Sequence, residues 1–513
     1  MATLDESKIA SIVEKVLLRL EGEQKRQGPA APADTASPGK YHGCAPPPPR
    51  ASERAGQPGG GAARYASATY GAASAGKEGV FGDMDAAVEA ATKAQATLDA
   101  LPLETRKAII QAMRDAGVRE AETLSRMAVD ETKLGRVDDK IIKNRLATLK
   151  TPGVEDLQTR AESGDHGLTI HELAPMGVIC SITPTTNPTE TILNNGISML
   201  AAGNSVVFNT HPSAKGVSGY LIQALNRAVV SAGGPPNLLC CMEAPTIETA
   251  QGLMKHAGIR TVVVTGGPAV VKQALASGKR AICAGPGNPP VVVDETANLA
   301  KAGKGIVAGA SFDNNVICVD EKEVIAVAEI ADQLKREMQK SGAYELKGRE
   351  IDKVMKLVLS PDGHGPAKDW VGKDATKIAA AAGITVPSST RLLFAEVDDE
   401  EHPFIHDELL LPTIGFIRVK HVDEAIAMAV RVEHGFRHSA SIYSTSIDAM
   451  HKMAVAIDCS IFIKNGPHYN GLGQGGESYT AWTIAGTTGE GVTSARTFTR
   501  LRRCVLVDYF RIV

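Results

Sequence analysis

No run of about 18 apolar residues occurs in the 513-residue sequence, so it offers no candidate for a membrane-spanning helix. Neither sign of charge is in surplus: 55 Lys and Arg stand against 58 Asp and Glu, a net −3. That balance gives no reason to expect nucleic acid or a membrane surface as a partner. Eight cysteines are too few for a disulfide framework in a chain of this length. With no signal peptide at the start, a reducing cytosol and free thiols are expected. Familiar signatures are missing too. There is no G-x-G-x-x-G in a strand-to-helix turn, no P-loop, no H-E-x-x-H, no C-x-x-C and no G-x-S-x-G elbow. What remains, 43% hydrophobic and 22% charged, is an ordinary globular composition. The length calls for two or more domains.

The chain divides by composition. In residues 1–22, Ile9, Ile12, Val13, Val16, Leu17 and Leu20 recur at the spacing of one helical face. Thr3 and Glu6 have capping-box spacing. Residues 23–78 are dominated by Pro, Gly, Ala and Ser, with Pro46 to Pro49 in a row. Such a stretch buries too little apolar surface to offset its ordering entropy and reads as a flexible tether. A helix this short is marginal alone in water, so one at the end of a tether is expected to bind something else, with folding back on its own body or pairing with itself as the alternative. The body starts at about residue 79. Residues 84–150 read as helical, apolar positions at helical spacing and charges filling the remainder. From 177 strands and helices alternate: GVICSI, TETILNNGISML, SVVFN, GVSGYLIQALNRAVVSAGG, NLLCCM, TVVVTGG and KRAICAG. This is the pattern of a parallel sheet covered by helices on both faces, an α/β fold whose ligands sit at the carboxyl ends of the strands. A second α/β region spans 286–475. The apolar tail CVLVDYFRIV reads as a strand that adds to another sheet, a partner subunit's being one option.

Four turns could carry chemistry. VVVTGGPAVV (262–271) runs from strand through Gly266-Gly267 into a helix start, where glycine admits a ligand to the backbone and the helix N-terminus favours phosphate. SITPTTNPTE (181–190) has the same shape. Asn187 within it reads first as a turn or cap residue, and second as an amide donor to an oxyanion. AGPGNPPVVVDE (284–295) is a rigid turn into a strand. GASFDNNVICVDE (309–321) ends a flexible polar loop on one thiol, Cys318, either a small buried hydrophobe or a nucleophile. The pairs His402/His406 and His434/His438 have metal-ligand spacing, but Pro403 and Gly435 argue against a regular helix beneath them, and no metal site is expected. Cys180, Cys240 and Cys241 lie in apolar strands and read as core.

From residue 80 to the C-terminus, these turns in this order resemble the aldehyde dehydrogenase superfamily, together with VVFNTHPSA (206–214) and DELLLP (407–412). The resemblance implies a Rossmann-type nicotinamide-binding domain over 79–285 and a catalytic domain over 286–475. It also implies a small oligomerisation arm, part of it near 155–172 and part in the return segment 476–513. It makes Cys318 the nucleophile that forms a thiohemiacetal and then a thioester, and Asn187 the oxyanion donor. It places Thr183, Pro184, Thr185, His211, Gly266, Gly267 and Gly285 at the cofactor, with Glu408 holding the ribose. Hydrolytic members of the family carry a glutamate where this sequence has Ala284, so the thioester should wait for a better nucleophile than water. The AGPGN turn, the HPSAK run and the N-N-x-x-C loop resemble the CoA-acylating branch. Ala214 stands where a glutamate is usual, which leaves NADP open beside the expected NAD. An amphipathic N-terminal helix on a tether, in front of such an enzyme, resembles the encapsulation peptides of bacterial microcompartment cargo. The expectations are therefore aldehyde oxidation to acyl-CoA, of propionaldehyde first and acetaldehyde second, in a microcompartment lumen within the bacterial cytoplasm. The expected partners are a shell or cargo protein bound through residues 1–22, and a second copy of the chain in a homodimer or homotetramer. A non-catalytic cargo scaffold is the alternative of a different class.

Overall fold

The computed structural model describes residues 78–363 and 365–512. The helix expected over 1–22 and nearly all of the expected tether lie outside the described residues.

Three helices come first after strand β1 (Val80–Phe81): Met84–Ala100, Leu103–Thr132 and Val137–Lys150. A hairpin of β2 (Arg160–Gly164) and β3 (Gly167–Pro175) follows. Strands β4 (Val178–Ile182), β5 (Ser205–Asn209), β6 (Leu239–Met242), β7 (Thr261–Thr265) and β8 (Arg280–Ala284) then alternate with helices. With β1 they form one parallel sheet in the order β1-β6-β5-β4-β7-β8. Every residue of β4, β5 and β6 is buried, which is why these strands read as unbroken apolar runs.

The second parallel sheet uses β9 (Pro290–Val293), β10 (Glu323–Val327), β11 (Ala343–Leu346), β12 (Leu392–Val397), β13 (Thr413–Val419), β14 (Ser439–Tyr443) and β15 (Ile461–Lys464). Its order is β11-β12-β13-β10-β9-β14-β15. Two short strands, β16 (Ile484–Ala485) and β17 (Gly491–Val492), pair antiparallel before the last strand, β18 (Thr499–Val507). That strand joins β3 of its own chain, with Thr499 opposite Pro175 and Val507 opposite Gly167. A partner subunit is thus not needed to pair it. The three-stranded sheet β18-β3-β2 leaves one edge of β18 open.

Lys140 and Lys143 of the third helix are fully buried, because a carboxylate from a distant loop meets them there. Pro403 starts a single turn, Pro403–His406, with His402 outside it as its cap, so the His402/His406 pair does not share a regular helix.

Candidate active site

In the first sheet the chain leaves β4 towards β5 on one side, and β7 pairs with β4 on the other. The reversal of strand order opens a crevice beyond the carboxyl ends of β4 and β7. Residues 183–187 follow β4, Thr210 and His211 follow β5, Gly266 and Gly267 follow β7, and Gly285 follows β8. The second sheet contributes residues that precede its strands: Cys318 before β10, Glu408 before β13, His438 directly before β14.

A cavity of ≈ 580 Å³ lies where the two sets meet. Every residue singled out from the sequence lines it: Cys318 and Asn187; Thr183, Pro184 and Thr185; His211, Gly266, Gly267, Gly285 and Glu408. Ala284 is on the wall as well, fully packed at the end of β8. Ala214 is in the core and not on the cavity wall.

Asn187 occupies the cap position of the helix Pro188–Ala201, yet its side chain makes no cap hydrogen bond. Its Nδ2 donates to Thr186 Oγ1 at 3.2 Å and its Oδ1 is buried without a partner. The cap reading of this residue therefore gives way to a carboxamide directed at the cavity. Thr183 Oγ1 and Thr210 Oγ1 on the same wall are also buried without partners. Gly267 is the cap of the helix Pro268–Leu275, with no side-chain cap bond and open space where a Cβ would stand. Unpaired hydroxyls and an uncapped helix N-terminus fit a polar nucleotide bearing phosphate. A nicotinamide dinucleotide would be held by Thr183, Thr210, Gly266 and Gly267.

The segment leading to Cys318 differs from the expected flexible polar loop. Asp313, Asn314 and Asn315 are buried, and all three have positive φ, 47°, 54° and 65°. Its polarity is consumed internally: Asn314 Nδ2 donates to the Gly372 carbonyl, and Asn315 Nδ2 to the carbonyls of Ala310 and Glu321. Gly135 also has φ of +75°, and a Cβ there would lie 2.1 Å from Asp313 Oδ1. Only glycine admits the loop at that point.

Burial first, and the neighbouring Glu408 charge second, push the Cys318 thiol up to about 12 against the opposing pull of Lys322. Burial also pushes Glu408 up to about 7, while Lys322 and the Gly287 N–H, which donates to it, act the other way. Behind the nucleophile, burial raises Glu321 to about 8 and holds Asp320 and Glu323 well above the usual carboxylate range. Lys322 sits among them, its Nζ donating to Asn315 Oδ1 at 2.5 Å and to the Ile317 carbonyl at 3.0 Å.

Sequence reasoning missed His438, which it weighed only as half of a metal-spacing pair. Its ring flanks Gly287: a Cβ on that glycine would lie 2.8 Å from His438 Cγ and 3.0 Å from the Cys318 carbonyl oxygen. Burial pushes the imidazole down to about 3, so it is neutral at working pH, and its Nε2 is buried without a partner. Trp482 on the cavity wall was also missed, as were the buried lysines. Lysine at two positions of a helix's buried stripe is the signal that could have found them.

A family model described as the aldehyde dehydrogenase family matches residues 68–358. The acetylating acetaldehyde dehydrogenase EutE of Salmonella typhimurium strain LT2 is 53% identical over 440 residues, covering 85% of this chain and 94% of that protein. A propionaldehyde dehydrogenase of Rhodopseudomonas palustris, solved with bound CoA and an acylated cysteine, is 51% identical with a TM-score of 0.83, covering 84% of this chain and 99% of that one. The propionaldehyde dehydrogenase of a Clostridium phytofermentans fucose-utilisation microcompartment is 47% identical with a TM-score of 0.84, over 85% and 100% of the two chains. With two parallel sheets meeting at one thiol-bearing crevice, and relatives this similar along most of its length, the chain belongs to the aldehyde dehydrogenase family.

Proposed function

We propose that this oxidoreductase is a CoA-acylating aldehyde dehydrogenase, converting a short aliphatic aldehyde, NAD and CoA to acyl-CoA, NADH and a proton. One observation carries the reading. Cys318 and Asn187 share a cavity with nucleotide-type turns, and the position that the family resemblance gives to a water-activating carboxylate is Ala284 on the same lining.

The Cys318 Sγ attacks the aldehyde carbon once its proton has left. Glu408 is the proposed acceptor for that proton, because it lines the same cavity and its charge reaches the thiol, whereas His438 is not on the cavity wall. Proton transfer also neutralises Glu408, which removes its repulsion of the thiolate. The carbonyl oxygen becomes an alkoxide, which the Asn187 amide and the Cys318 backbone N–H hold. A bound NAD supplies the acceptor for the aldehyde's hydride. Cys318 then carries the acyl group as a thioester. With no carboxylate at Ala284, water is a poor nucleophile there, whereas a thiolate needs no such base. Attack by the CoA sulfur moves the acyl group to CoA and returns the Cys318 thiolate.

Propionaldehyde is the proposed substrate, which the solved relatives with that activity support, and acetaldehyde is the competitor to measure beside it. Mass spectrometry after incubation with propionaldehyde and NAD, without CoA, is expected to show a propionyl group on the Cys318 peptide. Its absence, or its persistence in Cys318→Ala, would contradict the nucleophile.

The location proposed is a bacterial microcompartment lumen, reached through residues 1–22 docking on a shell or cargo protein. The amphipathic spacing of that segment and the microcompartment origin of one relative support it. Among the described residues no helix is long and apolar enough to cross a membrane. Deletion of residues 1–22 is expected to abolish co-purification with shells at unchanged turnover. Loss of turnover instead would make that segment part of the enzyme body.

A further inference from the structure

The helix Val137–Lys150 presents one face to the segment that carries the nucleophile. Asp313 lies five residues before Cys318 and is fully buried. Its Oδ1 accepts the Arg136 N–H at 2.7 Å, and its own N–H donates to Asp139 Oδ2 at 3.1 Å. Its Oδ2 accepts Lys140 Nζ at 2.9 Å and Lys143 Nζ at 2.5 Å. Positions 136, 139, 140 and 143 share that face because residues three and four apart are neighbours on a helix.

Bringing two ammonium groups and a carboxylate out of water is costly, and a buried ion pair is weak evidence of a stability role. Lys140 has a further partner that suggests another use. Its Nζ also donates to the Thr186 carbonyl at 3.1 Å. Thr186 is the residue directly before Asn187, so one buried ammonium bonds both the nucleophile segment and the oxyanion turn. Lys143 does not reach that turn. It lies within 3.5 Å of the Val316 carbonyl and 5.5 Å from the Trp482 ring centre. Asp313, Asn314 and Asn315 have positive φ in succession, a conformation that Asp and Asn tolerate best singly and that the buried contacts of all three side chains hold here.

We propose that Lys140 is a positioning residue that fixes the separation of Cys318 from Asn187 by tying the Asp313 carboxylate to the Thr186 carbonyl. The proposal rests on the roles given above to Cys318 and Asn187. Lys140 is not among the residues that line the cavity. Without it the two segments settle independently, and a misplacement of about 1 Å at the reacting atoms costs about 100-fold in rate. The 183–187 turn also faces the nucleotide through Thr183, but Lys140 bonds only its Thr186 carbonyl and neither Thr210 nor the glycine turn after β7, so nucleotide binding is expected to change far less than the chemical step.

The test uses the full-length enzyme. Single-turnover NADH formation from propionaldehyde and NAD gives the chemical step per active site, and NADH fluorescence titration gives nucleotide binding. Lys140→Met and Lys143→Met each leave one ammonium on Asp313, so the carboxylate stays paired in both. Lys140→Met is expected to slow the chemical step by about 100-fold, with burst amplitude retained and NADH binding within about twofold of wild type. Lys143→Met is expected to lose less than about tenfold, since the Lys140 bridge remains. Lys140→Gln, for use if the apolar variant does not fold, is expected to show the Lys140→Met loss. A wild-type rate in Lys140→Met would overturn the proposal, as would equal losses in the two lysine variants or a loss shared by nucleotide binding. Failure of both Lys140 variants to fold would also overturn it, making Lys140 a folding residue. Absence of a burst in the wild type would instead sink the assignment of Cys318, a distinguishable result.

Discussion

Glu408 and Cys318 titrate as neighbours, and the direction of each shift has a consequence for activity. Ionised Glu408 raises the thiol, so the two groups do not both hold a negative charge cheaply. The active form at rest is therefore thiol plus carboxylate, which requires Glu408 to be deprotonated. Acylation of Cys318 is expected to rise with pH through about 7 and to be lost as pH falls below it. Stopped-flow NADH bursts across that range check this, and Glu408→Gln is expected to abolish that limb. An unchanged limb in the variant would assign the proton to another group. At this scale the sequence was informative where chemistry sits in turns between strands: Asn187, Gly266, Gly267 and Cys318 all line one cavity. It was uninformative for Lys140, Lys143 and His438. Their meaning depends on partners 170 or more residues away for the lysines, and on a glycine that only the folded chain brings near for the histidine.

Elements were legible to the degree that burial made them uniform. The strands of the first sheet are covered on both faces, so their apolar runs stand out without any alternation. The nucleophile loop was misjudged because its polarity suggests water, whereas its amides are spent on carbonyls and its carboxylate on lysines. Strand β18 differs again. It is paired to β3, yet Leu501 is 62% and Val505 58% exposed, and its outer edge is open. An open edge bearing exposed apolar side chains is a template for association. Whether copies of the chain associate through this strand is open to direct test. Leu501→Glu with Val505→Glu is expected to shift the protein to monomer in light scattering. An unchanged mass would place any self-association elsewhere.

At the scale of the whole molecule, the two sheets divide the work. The first brings the carboxyl ends of its strands to the cavity, and the second brings a thiol and a carboxylate from the segments before its strands. Membership of the aldehyde dehydrogenase family follows from the match along most of the chain. The proposed difference from hydrolytic members is the absence of a carboxylate at Ala284. The direct measurement is steady-state NADH formation from propionaldehyde and NAD, with and without CoA. Multiple turnovers are expected only with CoA, with no more than one equivalent of NADH per active site without it. Equal turnover in the absence of CoA would mean that water is activated by another group, and would contradict the account.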